Sequence, residues 1–125
     1  MASILRVNTL TDASSNNSTA MSTVFNGTVK VWVNFNGTGT VAIRDDFNVA
    51  SITDRGTGTF TSNFTSNMAN DDYSAMVGSG STDATNRNSS VTGMTTSTLK
   101  VDTYNSSNTR TDHEFTFSNA HGDLA

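Results

Sequence analysis

Apolar and polar residues alternate along most of this chain, most clearly over residues 28–35. There Val29, Val31, Val33 and Phe35 fall on one face, with Lys30, Trp32 and Asn34 on the other. A period of two marks a half-buried strand, because successive strand side chains point to opposite faces. Asn26-Gly27 and Asn36-Gly37 bracket this run. Both dipeptides tolerate the positive φ of a type I′ hairpin turn. The same reading predicts strands over 38–44 (Val41 and Ile43 inward), 47–53 (Phe47, Val49) and 59–64 (Phe60, Phe64). Others follow over 72–78 (Tyr73, Ala75, Val77), 98–104 (Leu99, Val101) and 113–119 (Phe115, Phe117). Asp45-Asp46 and residues 54–58 read as the turns between them.

No segment carries a helical stripe. Short strands separated by turn residues at this spacing predict an all-β fold, a small antiparallel β-sandwich or barrel-like body over residues 24–125. Residues 1–23 stand apart as an N-terminal arm and linker. Ile4, Leu5, Val7 and Leu10 make a short apolar segment, expected as a strand or an extended arm, and residues 11–23 read as a polar linker without periodicity. Detached apolar side chains need a surface to bury against, so these four are expected to dock onto another chain. Residues 78–90 contain no apolar side chain larger than alanine and read as one long exposed loop. With the polar stretch 105–112 it is expected to form the outward surface, where Arg87, Asn88 and Arg110 stand.

Composition sharpens this picture. Thr, Ser and Asn supply 54 of 125 residues, while Ile, Leu, Val and Phe supply only 24. Disorder also wants high net charge, and the formal charge is only −4. Abundant β-branched Thr favours pleated strands instead. The expectation is an ordered β protein whose core is thin enough to need self-association. With no cysteine there is no disulfide framework, thiolate nucleophile or cysteine-ligated metal. The opening residues alternate, unlike a secretory signal, and no apolar run approaches the ~20 residues of a bilayer span. Seven basic residues against eleven acidic ones leave no nucleic-acid footprint.

Catalytic patterns are equally thin. His113 and His121 have no third ligand at a recognisable spacing. Asp45-Asp46 and Asp71-Asp72 are sequence neighbours, which a strand points to opposite faces; Asp71, Asp72 and Asp83 lack the spacing of a calcium loop. The glycine-rich stretches lack a P-loop lysine, and no serine sits in Gly-x-Ser-x-Gly. The expectation is no enzyme and no cofactor. Trp32, the single tryptophan, is read as a subunit-interface anchor, a packing residue within the domain or a stacking platform for a sugar.

The block from Lys30 to Asp54, KVWVNFNGTGTVAIRDDFNVASITD, resembles one found in tail-fibre-like virion proteins of marine tailed bacteriophages. Further similarity lies in Gly56–Phe64, Met68–Tyr73, Leu99–Val101 and Thr109–Asp112, and in the opening Ile4–Leu10. Residues 79–96 and the tail from His121 depart from the pattern. The resemblance implies a β-rich, homotrimeric module on the virion exterior, a tail-fibre or fibre-tip component contacting the host surface. It brings no catalytic residues and no cofactor. A chain of this length cannot supply adaptor, shaft and tip together, so docking on another virion structural protein through the arm is expected. Host surface polysaccharide is the ligand expected from the small polar side chains of the 78–90 and 105–112 loops. The alternatives are a capsid decoration or head knob protein and, more remotely, a carbohydrate-binding module.

Overall fold

The stretch expected to be a featureless linker has structure of its own. The computed structural model describes residues 3–82 and 87–125. Within it β1 (Thr9–Thr11) and β2 (Ser18–Ala20) pair as an antiparallel hairpin, followed directly by a short helix α1 (Met21–Gly27). Asp12 organises the hairpin loop, accepting bonds from the Asn16 N–H at 3.0 Å and the Asn17 amide at 2.7 Å. In α1, Met21, Val24 and Phe25 fall at the i, i+3, i+4 spacing of a helix face, yet none is buried. Asn26-Gly27 therefore closes a helix and makes no hairpin turn.

Lys30 corrects a second expectation. It was placed on the outward face beside Trp32, but it is buried. Its ammonium donates to the Phe25 carbonyl and to Thr28 O at 3.1 Å and Oγ1 at 2.7 Å, and lies 4.2 Å from the Phe25 ring centroid. The last helical carbonyls have no intrahelical partners, and a lysine at the C-terminus satisfies them.

Eight strands then build an all-β sandwich of two antiparallel four-stranded sheets. They are β3 (Val31–Asn36), β4 (Ala42–Phe47), β5 (Val49–Asp54), β6 (Thr59–Phe64), β7 (Ser74–Gly80), β8 (Asn88–Met94), β9 (Thr98–Tyr104) and β10 (Phe115–His121). One sheet runs β4-β3-β10-β7 and the other β5-β6-β9-β8. Val31, Val33 and Phe35 meet Phe60, Phe64, Leu99 and Val101 between the sheets. Phe35 and Phe60 pack edge to face with centroids 5.2 Å apart.

Several local readings change. Asn36-Gly37 is not a type I′ turn; the positive φ falls at Gly39. Asn36 folds its side chain over Thr38, and Gly37 is needed because an added Cβ would lie 2.8 Å from the Phe60 ring and 2.9 Å from the His113 carbonyl. Asp45-Asp46 lies within β4; the chain reverses two residues later at Asn48, whose φ is 61°. Asn48 holds that corner by bonding Lys30 O and both backbone groups of Ser66. The shift turns Phe47 outward.

The expected 78–90 loop shrinks, because β7 runs to Gly80 and β8 begins at Asn88. Residues 83–86 of that loop, with Asp83 among them, lie outside the described residues. Strand β8 carries almost no apolar signal. It forms by pairing with β9, while Ser79 and Ser89 hydroxyls bridge to Asn88 O and Val77 O across the sandwich edge.

Strand β10 shows the largest reversal. Phe115 and Phe117 were expected inward, but Thr116, Ser118 and Ala120 are the buried residues. Their register partners on β3 are Phe35, Val33 and Val31. Partners across a ladder share a face, so the inward valines of β3 force the small residues of β10 inward and the phenylalanines out.

Candidate functional site

The reversals at Phe47 and Phe117 create the most distinctive surface of the molecule, the outer face of the β4-β3-β10-β7 sheet. One row across it reads Phe47, Trp32, Asn119, Met76. The next reads Asp45, Asn34, Phe117, Gly78. Trp32 is 36% exposed, Phe47 50%, Met76 65% and Phe117 48%. Such side chains on hydrogen-bonded strands form a pre-ordered apolar patch, and contiguous exposed patches mark interaction surfaces. Phe117 lies over Gly78, where an added Cβ would come within 2.2 Å of the ring. Arg44 edges the patch, its guanidinium 4.9 Å from the Phe115 ring and bonded to Glu114 O at 2.6 Å and Phe35 O at 3.2 Å.

The arm supplies a second unpartnered apolar surface. Ile4 is 73% exposed and Leu5 79%, and Val7, Leu10 and Phe25 are exposed as well. Leu10 borders an open recess of about 300 Å³ with Thr11, Asp12, Asn17, Ser18 and Thr19. The Asn17 amide, then the Asn16 N–H, hold the Asp12 carboxyl below its usual range. That charge belongs to the hairpin loop.

The opposite sheet has a different character. Its outer side carries Ser51, Thr53, Asn63 and Lys100, and the Asn63 amide ties Ser51 Oγ at 3.1 Å to Thr53 Oγ1 at 2.9 Å. At one end Asn88 pairs with Tyr104, and Tyr104 bridges to Arg110. The fold thus brings two of the sequence-chosen residues, Asn88 and Arg110, to one place. Asn88 starts β8 and does not sit in a loop; Arg87, half-buried, precedes it.

Arg110 is engaged. Its Nη2 and Nε donate to Asp102 Oδ2 at 2.7 and 3.1 Å, and this pairing raises its pKa above the usual arginine value. Asp102 is buried under it, with Thr92 Oγ1 on Oδ1 and Tyr104 OH on Oδ2. The Gly58 N–H donates to Asp112 at 2.6 Å and Thr103 Oγ1 to Thr111 O at 2.6 Å, so the 105–112 segment is stapled to the sheet.

Of the sequence-chosen docking residues, Trp32 sits in the aromatic face, while Ile4, Leu5, Val7 and Leu10 lie on the separate arm. Phe47, Met76 and Phe117 join Trp32 on this face outside the sequence expectations. Alternation had assigned both phenylalanines to the core, and only the spacing of Met76 against Tyr73, Ala75 and Val77 could have placed a member of this patch outside. Among the described residues, no three His, Asp or Glu side chains gather as a metal would require. No protein-family model, curated protein or solved structure matches this chain.

Proposed function

We propose that this protein is a structural component of a bacteriophage virion, held on the particle exterior as a tail-fibre or fibre-tip module that assembles through its apolar surfaces. The observation that carries the reading is the exposed Phe47–Trp32–Met76–Phe117 patch on a hydrogen-bonded sheet. The block resembling tail-fibre-like proteins, residues 30–54, spans β3 to β5 and contributes Trp32 and Phe47 to that patch. Two separate exposed apolar surfaces fit a module that assembles with other chains, since contiguous apolar patches mark interaction sites. The polar outer side of the other sheet is then the side turned to water and to host surface polysaccharide. Small Ser, Thr and Asn side chains there offer hydrogen bonds to a glycan at little rotamer cost.

Immunogold labelling of the encoding phage with an antibody against residues 31–125 tests this assignment. Gold at fibre tips is the expected outcome. Gold on heads replaces the fibre with a capsid decoration, and unlabelled particles refute the virion assignment altogether.

A further inference from the structure

The chain carries two apolar surfaces that it does not join. The hairpin packs on itself and on α1, leaving Ile4 and Leu5 in water. The sheet face is pre-ordered and equally open. We propose that residues 4–10 of one copy lie across the Phe47–Trp32–Met76–Phe117 face of a second copy. This contact goes beyond the virion reading and holds whether or not the protein belongs to a particle.

Charge and area both favour this occupant. Arg6, between Leu5 and Val7, is the sole charged side chain in residues 1–11. The receiving face is bordered by Asp45, exposed and one row from the Trp32–Phe47 pair. The neighbouring cation Arg44 turns its guanidinium to the Phe35 and Glu114 carbonyls and the Phe115 ring, and Asp45 is in no ion pair among the described residues, so its carboxylate is open to a second cation. The four side chains of the face expose on the order of 400 Å². With the arm that covers them, each contact removes on the order of 1,000 Å², near the lower bound for specific association. Because arm and face are different surfaces, the contact is head-to-tail, and a closed ring lets every chain give one arm and receive another. Such a ring accounts for the homotrimer that the thin core and the resemblance lead one to expect.

Trp32 is the single tryptophan, so its emission reports the face directly. The full chain is diluted from tens of micromolar to nanomolar while emission and sedimentation mass are followed. Association is expected to carry both together, with emission at shorter wavelength in the heavier species. Leu5→Glu, Arg6→Glu and Phe47→Ser each change an exposed residue, and unchanged far-UV circular dichroism verifies folding. Each variant is expected to associate on the order of tenfold more weakly or worse. Asp45→Arg is expected to restore part of the loss in the Arg6→Glu chain. The deciding experiment mixes Leu5→Glu chains, which keep the face, with Phe47→Ser chains, which keep the arm; a one-to-one complex is expected from two variants that are separately monomeric. A mixture that stays monomeric overturns the proposal, as do variants that associate like the parent. A parent chain monomeric at tens of micromolar also overturns it. If the monomer's emission shifts only on adding a soluble polysaccharide, the face belongs to a glycan and the proposal is wrong.

Discussion

Replacing Arg110 by alanine removes the strongest partner of a buried carboxylate, and the structure sets the scale of the loss. Asp102 Oδ2 accepts two guanidinium bonds, at 2.7 and 3.1 Å, and one from Tyr104 OH at 3.2 Å. Its carboxyl side is buried, whereas the Arg110 side chain is 57% exposed. Breaking a fully buried pair costs about 3–5 kcal/mol, while an exposed pair is worth about 0–1 kcal/mol. The half-exposed geometry falls between them, because water reaches Asp102 once the guanidinium that covers it is gone. The expected loss is about 2 kcal/mol, or roughly 6–12 °C in Tm for a domain of this size. Urea unfolding at one fixed protein concentration, followed by far-UV circular dichroism, measures it without a change in self-association. Asp102→Asn and the double variant complete the cycle, with an expected coupling of about 1–2 kcal/mol. Arg110→Lys should recover only part, since an ammonium cannot place two N–H groups on one oxygen as the planar guanidinium does. An Arg110→Ala chain within about 0.5 kcal/mol of the parent would refute the assignment of this pair as the clamp on the 105–112 segment.

Two glycines should separate cleanly. Gly37→Ala drives a methyl against the buried Phe60 ring and the His113 backbone, which cannot give, so a loss of about 2–3 kcal/mol is expected in the same urea assay. The nearest group that Gly78→Ala meets is the half-exposed Phe117 ring, which can swing into solvent, so about 1 kcal/mol or less is expected. Burial pushes the Tyr73 hydroxyl, which donates to Thr95 O and Thr98 O, up to about 12. A raised folded-state pKa means its contribution is intact below pH 10 and is lost as pH rises towards 12. Tyr73→Phe should flatten that alkaline loss in thermal melts, at a neutral-pH cost of about 1 kcal/mol. Phe60→Ala should cost about 3–5 kcal/mol by calorimetry, since it empties the edge-to-face contact with Phe35 at the centre of the core.

The strand class and much of the core were legible in the chain itself. Val31, Val33 and Phe35 could only be one face of a strand, and Phe60, Phe64, Leu99 and Val101 followed by the same alternation. The 54–58 turn was equally readable, with Gly56 and Gly58 both at positive φ. Ile4 and Leu5 declared themselves as apolar residues without a domain. Alternation fixes which residues share a face, but it does not say which face is inside. In β10 that choice went against hydrophobicity, because the β3 register placed Thr116, Ser118 and Ala120 opposite residues already committed to the core. In β4 it depended on a corner at Asn48, two residues beyond the acidic pair that resembled a turn. Strand β8 had no pattern of its own and exists because β9 offered it a ladder. Lys30 and Arg110 looked like surface charges until folding brought them to a helix end and to Asp102. The candidate face combines Trp32, foreseeable from its own strand, with Phe47 and Phe117, which only pairing with distant strands could turn outward. Local sequence sets a strand's period; the partner across the ladder sets its phase.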